Sequence, residues 1–246
     1  MRSERKILRM SDAAALAQAA AERLIARLEA NGKRAAVCLT GGSSPERLYR
    51  LLASEPYRNR IPWERVHWFI GDERFVPADD PRNNMSMARR LFLDVCAPPD
   101  NIHPIPVHAG TTREAARCYE ITLQTFYGGG RLDPARPLFD LVLMGLGPDG
   151  HTASLFPGDP ALDERTRWVV GVARPNVEPE VARVTLTFPT LASCREMLFE
   201  VSGSNKHAIL ARVFDGEDLP AARACSLGDT VWLVDAAACP GSSHDA

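Results

Sequence analysis

The sequence predicts an α/β fold: a three-layer, Rossmann-like, mainly parallel sheet with helices on both faces, and scope for a small additional lobe. Short apolar segments alternate with segments of helical periodicity, glycine-rich turns follow several apolar segments directly, and 246 residues suit one large α/β domain or two small ones. No linker-like segment or internal repeat interrupts this alternation. We therefore expect one domain over residues 1–246, with any smaller lobe holding residues 100–135.

The first half of the chain supplies helices and strands in turn. Ser11 and Asp12 begin a helix in which leucine or alanine recurs every fourth residue, and Asn31-Gly32 provides its stop. Thr111 and Glu114 form the capping box of a later helix. The other elements predicted here are strands at 35–40 and 65–70, a helix capped by Ser44 with Pro45 in its first position, a helix over 84–95, and the continuation of the capped helix to about Phe126.

The second half continues the pattern, with predicted strands at 138–144, 167–173, 183–188, 196–202 and 231–235 and a capped helix at 204–214. In parallel sheets, ligands bind beyond the carboxyl ends of the strands. Four segments directly follow predicted strands, and we expect them to converge on one crevice: residues 40–44, 71–74, 145–158 and 203–206.

Composition narrows the classes of function. A formal net charge of −2 leaves no basic surplus for nucleic acid, and no DNA-binding helix pair is evident, so we expect no nucleic-acid partner. The N-terminal segment lacks the apolar core of a signal peptide, and charges interrupt the alanine-rich stretch after it, so we expect no membrane association. Six scattered cysteines and no metal-binding histidine spacing indicate reduced thiols in a cytoplasmic protein without a structural metal.

The segment Gly41-Gly42-Ser43 is suited to hold a phosphate. Glycines permit close approach of a ligand to the backbone, and the helix that follows offers unpaired N–H groups and the positive end of its dipole. No Walker A pattern is present, which argues against a nucleoside triphosphate. A plain tight turn between strand and helix is an equally good interpretation of this segment alone.

Further charged residues lie near the ends of predicted strands. Lys206 falls in the first turn of a helix, where a cation is unfavourable unless an anion is also present. A solvated lysine is the simpler alternative. The segment Gly71-Asp72-Glu73-Arg74 places two carboxylates and a guanidinium at a strand end, which suits recognition of a hydroxylated or anionic substrate, or else forms a local ion-pair cluster. Arg183 begins a strand, and a surface position explains it equally well.

The segment 145–158 formally contains GxGxxG after a strand, the pattern of a dinucleotide-binding turn. Pro148 constrains that turn, and Pro157-Gly158 comes too soon for a full helix. No acidic residue ends the next strand near 170, where a ribose contact is required. Only Arg174 supports an NADP site. We therefore disfavour a dinucleotide.

What remains in this segment is Asp149 two residues before His151, inside a glycine-rich turn at a strand end. Neutral imidazole is the common general base near neutral pH, and a neighbouring carboxylate can orient it or hold the attacking water. The alternative is a histidine with only a structural role. The flanking glycines and the position at a strand end argue against this alternative. Ser154 lacks a GxSxG elbow, so we do not expect it to be a nucleophile.

Taken together, five segments in this order and spacing resemble the 6-phosphogluconolactonase family: LTGGSSPERLY, IGDERFVP, GLGPDGHTASLFPG, RVTLTFP and SGSNKHAIL. The resemblance runs from about residue 35 to 235. The wider superfamily includes glucosamine-6-phosphate deaminase, which has a glutamate after the DGH histidine. Phe156 stands at that position here, which favours the lactonase over the deaminase.

The resemblance implies hydrolysis of 6-phospho-D-glucono-1,5-lactone to 6-phospho-D-gluconate, the second step of the oxidative pentose phosphate pathway, without metal or organic cofactor. Its small-molecule partner is then a phosphosugar lactone, and we expect a monomer or weak homo-oligomer. The residues it implies are a catalytic pair, Asp149 and His151; phosphate-binding Gly41, Gly42, Ser43 and Lys206; and substrate-binding Arg74 and Arg183, beside Asp72. Arg82-Asn83-Asn84 departs from the family's usual Ser-Asn; we expect Asn84 to keep its binding role and leave that of Asn83 open.

Two alternatives stay open at this stage. One is an aldose–ketose isomerase or deaminase on the same fold, which would release ammonia from glucosamine 6-phosphate. The other is a non-catalytic regulator that binds phosphosugars without turnover.

Overall fold

The computed structural model describes residues 5–173 and 177–239. Arg174 and residues 1–4 of the N-terminal segment lie outside this part of the chain. Within it, six strands form one sheet in which every pair of neighbours is parallel, in the order β1-β9-β8-β5-β2-β3. These strands are β1 (Arg5–Met10), β2 (Ala35–Leu39), β3 (Val66–Ile70), β5 (Phe139–Met144), β8 (Cys194–Val201) and β9 (Asp229–Asp235). The predicted mainly parallel α/β architecture is confirmed.

Helices cover both faces of this sheet, as β8 shows. Glu196 points to one face, where Arg23 and Arg27 of a helix bind its carboxylate. Phe199, three residues on, points to the other face and stacks on Trp232, whose ring contacts Phe214 of a second helix. The helices are α1 (Ala13–Ala30), α2 (Ser44–Leu52), α3 (Tyr57–Arg60), α4 (Asn84–Ala88), α5 (Asp94–Cys96), α6 (Thr112–Tyr127), α7 (Phe188–Ala192), α8 (His207–Phe214) and α9 (Pro220–Arg223). None of the described helices is long and apolar enough to cross a membrane.

A second, antiparallel sheet is formed by three short strands: β4 (Asp72–Arg74), β6 (Val169–Val172) and β7 (Arg183–Leu186), in the order β4-β7-β6. The sequence predicted two of these strands but not their separate sheet, and it placed 71–74 in a loop. Gly71 directs the chain there, because its N–H donates to Leu39 and its carbonyl accepts from Leu186. Helix α6, from the segment expected to form a lobe, packs against β6 and β7.

Several predicted elements differ locally. Helix α2 begins at Ser44 with Ser43 at the N-cap position and no side-chain cap, so Ser44 is not its cap. The helix predicted over 84–95 contains a π-helical turn at Arg89–Leu93, and the one over 204–214 begins with a 3₁₀ turn at Ser204–Lys206. Strand β1 was not predicted. The capping box of α6 is confirmed, with Thr111 Oγ1 accepting from Glu114 N.

The strand order fixes where a ligand can enter. From the centre of the sheet the chain continues outward from β2 to β3 on one side and from β5 to β8 on the other. The connections after β2 and β5 therefore diverge and leave a crevice between their carboxyl ends, the usual ligand site of open α/β sheets.

Candidate active site

A cavity of about 330 Å³ lies at this crevice, and all four strand-end segments line it. Of the predicted site residues, the structure brings together Gly41, Gly42, Ser43, Asp72, Arg74, Asn84, His151, Arg183 and Lys206 in its wall. Asp149 is not in the wall but contacts His151 from behind. Two other wall residues, Val177 and Glu178, were not predicted, because they do not directly follow a predicted strand and belong to no motif.

His151 is oriented by Asp149. Its Nδ1 lies 2.5 Å from Asp149 Oδ1, and the same oxygen accepts from the backbone N–H of His151 at 3.1 Å. Burial raises the pKa of Asp149, but the hydrogen bond and the charge interaction with His151 outweigh this and lower it overall. An ionised carboxylate at Nδ1 leaves Nε2 as the ring nitrogen available on the cavity side.

Two neighbours fix the position of the His151 ring. A Cβ atom on Gly147 would lie 2.1 Å from His151 Nδ1, so only glycine leaves room for the ring at this distance. Phe156 packs against the imidazole with ring centroids 4.6 Å apart. The GxG pattern of this turn therefore makes space for a histidine, which explains it without a dinucleotide.

The glycine loop after β2 presents backbone N–H groups to the cavity. Gly41 and Gly42 donate no backbone hydrogen bond to the described residues, and α2 begins at Ser44 without a side-chain cap. Tyr49 holds the loop in place, because its hydroxyl bonds both the N–H and the carbonyl of Thr40. The unpaired donors and the helix dipole together make this side of the cavity suited to an anion.

Lys206 extends from the turn before α8 into the cavity. Its ammonium donates to the carbonyl of Leu146 at 2.6 Å, which aims it at the loop that holds His151. Burial lowers the pKa of Lys206, and the carboxylate of Asp149 partly opposes that shift. No carboxylate of the described residues forms an ion pair with this side chain.

Arg74 and Arg183 face each other across β4 and β7. Carbonyl oxygens, not carboxylates, hold both guanidinium groups: that of Arg82 for Arg74, and those of Pro179 and Val181 for Arg183. Burial lowers the pKa of Arg183; the charge of Asp72 opposes this shift and the charge of Arg74 adds to it. The buried Nε of Arg74 has no partner among the described residues. Two adjacent cations with free donors favour an anionic ligand.

Asn84 is held at the cavity by a carboxylate that was not among the predicted site residues. Glu73 is 1% exposed and accepts from the backbone N–H groups of Arg74, Asn84 and Met85. Burial raises its pKa to about 7. Asn83, whose role was open, caps α4 by accepting from Ser86 N.

Ser154 does not face the cavity. It is fully buried and donates to Asp72 Oδ2 at 2.6 Å, which agrees with the expectation that it is not a nucleophile. Asp72 thus lies in the wall with part of its carboxylate turned inward. Among the described residues, no group of three or more histidine, cysteine, aspartate or glutamate side chains is arranged to hold a metal ion.

The fold and the cavity define a doubly wound α/β protein whose crevice places an oriented histidine beside cationic side chains and unpaired backbone N–H groups. The family profile of glucosamine-6-phosphate isomerases and 6-phosphogluconolactonases matches residues 11–232. The chain belongs to this family.

Individual relatives agree with this assignment. The chain is 40% identical to a 6-phosphogluconolactonase of Mycobacterium leprae over 245 residues, covering 94% of this chain and 97% of that protein. It is 40% identical to one of Synechocystis over 205 residues, covering 81% of each. A solved 6-phosphogluconolactonase of Trypanosoma cruzi superimposes with a TM-score of 0.83 at 29% identity, covering 97% of both chains.

Proposed function

We propose that this protein hydrolyses 6-phospho-D-glucono-1,5-lactone to 6-phospho-D-gluconate, with His151 as general base. The observation that carries the proposal is the position of His151, which is held by Asp149 in the same cavity as three cationic side chains. The names of the relatives support the same reaction. Phe156 supports hydrolysis over deamination, because it occupies the place where the deaminase resemblance requires a carboxylate.

The lactone is a cyclic ester, so the reaction breaks the bond between C1 and the ring oxygen. In the proposed mechanism, Nε2 of His151 removes a proton from water as the water oxygen attacks C1. The resulting imidazolium is stabilised by the carboxylate of Asp149 at Nδ1. His151 then returns the proton to the ring oxygen as the tetrahedral intermediate collapses. One histidine therefore serves both steps. The proton taken from water ends on the hydroxyl formed from the ring oxygen, and His151 returns to its starting state when the carboxylic acid is formed.

Two parts of the wall assist this chemistry. The unpaired N–H groups of the glycine loop are suited to stabilise negative charge, either on the phosphate or on the oxyanion at C1. We assign the phosphate to Gly41, Gly42, Ser43 and Lys206, and further substrate oxygens to Arg74 and Arg183. Binding energy at the phosphate, remote from C1, orients the ring for attack.

The test is acid release from freshly prepared 6-phosphogluconolactone, measured above the spontaneous rate. We expect His151→Ala to lower kcat by roughly 10²- to 10⁴-fold, the usual contribution of a positioned general base. His108→Ala is the matched control, because His108 is exposed and lies outside this cavity. A His151→Ala variant that stays folded and keeps the wild-type rate would overturn the mechanism, and ammonia release from glucosamine 6-phosphate would overturn the reaction.

The single domain over residues 1–246, the cytoplasmic location, the lack of cofactor and nucleic-acid partner, and the state of monomer or weak homo-oligomer stay predictions.

A further inference from the structure

The loop that carries His151 contains a strained residue. Ala153 has a φ of +49°, in the left-handed region that residues with a Cβ atom rarely adopt. It lies two positions after His151 and in the wall of the cavity. Such a conformation persists only where the neighbouring chain is held firmly on both sides.

The residue before Ala153 is held by its own loop. Thr152 Oγ1 donates to the carbonyl of Gly145 at 2.8 Å, and the carbonyl of Thr152 accepts from Leu155 N at 3.0 Å. On the other side of Thr152, the carbonyl of His151 accepts from Gly147 N at 2.8 Å. These bonds close the loop on itself. A further bond ties it to α9, because Ala221 N donates to the carbonyl of Gly150 at 3.0 Å, but none of these bonds reaches the second sheet.

The residue after Ala153 makes the connection to the second sheet. Ser154 Oγ donates to Asp72 Oδ2 at 2.6 Å, and Ser154 N donates to Thr185 Oγ1 at 3.2 Å. Asp72 and Thr185 are direct partners across β4 and β7, so Ser154 bonds both strands of the pair at one point. Ser154 and Thr185 are fully buried and Asp72 is 5% exposed, so water does not compete freely for these bonds.

We propose that Ser154 and Asp72 form a clamp that holds the strained loop against the second sheet and thereby positions His151. The proposal rests on the proposed function, since it assigns positioning roles in the same reaction. Asp72 then acts through Ser154 and not by contact with the substrate, although it lies in the cavity wall. Ser154 and Asp72 are 82 positions apart in the sequence, so no local motif shows that they are connected.

If the clamp positions His151, substitutions at Ser154 and Asp72 should change kcat and not KM. Ser154→Ala removes the donor, and the loop relaxes at Ala153, so kcat falls by roughly ten- to a hundredfold, as a small misplacement of a catalytic group does. KM stays within about twofold, because the phosphate is assigned to other segments. Asp72→Asn keeps an oxygen that can accept from Ser154 but removes its charge, so its loss in kcat is smaller. Because the two residues act as a unit, the double variant loses no more than Ser154→Ala alone.

The measurements are kcat and KM for the wild type, both single variants and the double variant, with thermal unfolding of each. Ser54→Ala, which removes an exposed hydroxyl far along the chain, is the control and keeps wild-type kinetics. Isotope-labelled histidine provides a readout independent of turnover: the imidazole resonances of His151, identified by their absence in His151→Ala, shift in Ser154→Ala. If Ser154→Ala does not fold, Asp72→Asn carries the same test.

Different results of these measurements would overturn the clamp and the proposed lactonase function. A wild-type kcat in folded Ser154→Ala overturns the clamp and leaves the lactonase intact. A raised KM in Asp72→Asn, with losses that add to those of Ser154→Ala, also overturns it, because Asp72 then contacts the substrate. If the wild type does not hydrolyse the lactone but the His151 resonances still move in Ser154→Ala, the clamp stands and the proposed function fails.

Discussion

At Lys206 a single ammonium group connects two loops of the cavity, since it belongs to the turn before α8 and donates to Leu146 after β5. A half-buried cation that bonds only a carbonyl is poorly compensated until an anion arrives. The carboxylate of Asp149 is near enough to raise its pKa in part, but burial prevails. We therefore expect the environment of Lys206 to change when a phosphate binds.

We expect Lys206→Ala to raise KM roughly ten- to a hundredfold and to leave kcat nearly unchanged, because a charge-assisted hydrogen bond to the remote phosphate contributes about 1.5–3 kcal/mol. Steady-state kinetics on fresh lactone measures both constants. Lys33→Ala removes an exposed lysine outside the cavity and serves as the control. An unchanged KM for Lys206→Ala would remove Lys206 from the phosphate site.

Among the elements, the turn from Gly145 to Gly150 depends on the absence of a side chain at Gly147. Gly147→Ala would bring a Cβ atom to 2.1 Å from the His151 ring, so the ring must move. We expect kcat to fall by about a hundredfold, because the displaced ring no longer lies where the reaction requires it. We expect only a small drop in the unfolding temperature, because the ring is partly exposed and its loop lies at the edge of the cavity.

The control for this turn is Gly130→Ala. A Cβ atom at Gly130 would have no other atom within 4 Å, and the residue lies in a turn remote from His151, so this variant keeps the wild-type kcat. A Gly147→Ala protein with undiminished kcat would show that catalysis does not require the ring position described here.

Sequence patterns predicted the elements that are long, apolar and locally bounded. The strands of the parallel sheet other than β1, the start of α1 at Asp12 and the capping box of α6 all depend on neighbours within a few residues. Strand β1 was missed because it is a largely exposed edge strand whose partner, β9, lies more than 200 residues away. Strand β4 has only three residues, too few for a periodicity to be seen.

The residues of the candidate site likewise fall into those that the sequence predicts and those that it does not. Residues at strand ends, such as His151 and Lys206, could be predicted because a general rule places ligands there. The pairing of Ser154 with Asp72 could not, because it joins segments 82 positions apart in the sequence. The sequence placed Glu73 at a strand end, but no motif shows that its carboxylate binds the backbone N–H groups of Asn84 and Met85. The hydrogen bond between Ser154 and Asp72 forms only when the loop after β5 packs against the second sheet.

For the molecule as a whole, the carboxyl group of Glu200 links stability to pH. It is 1% exposed on β8, and neither carboxylate oxygen has a partner among the described residues. Burial raises its pKa to about 8. The folded protein therefore retains a proton between about pH 4.5 and 8 that the unfolded chain releases. Stability from this group is complete at low pH and is lost as pH rises through that window.

We expect the free energy of unfolding of the wild type to fall by roughly a few kcal/mol from pH 5 to pH 8, with Glu73 contributing in the same direction. His103, whose pKa burial lowers to about 4, contributes in the opposite direction over the lower part of this range. Glu200→Gln cannot ionise, so its unfolding free energy should depend less steeply on pH, whatever its absolute value. Urea unfolding at several pH values measures the slope, and Glu64→Gln, at an exposed glutamate, is the control. An equal slope in Glu200→Gln and the wild type would contradict an uncharged Glu200.

The pairing of β1 with β9 also decides where the molecule can be extended. The two strands run in parallel, so Arg5 lies beside Thr230 at one rim of the sheet and Met10 lies beside Asp235 at the other. Asp235 accepts from Ser202 and Gly203, next to the turn that ends in Lys206. A fusion partner joined ahead of Arg5 therefore emerges away from the crevice, whereas one joined soon after Asp235 emerges beside the turn that places Lys206. For labelling, we therefore expect a group attached at Arg5 to lie farther from the crevice than one attached at Asp235.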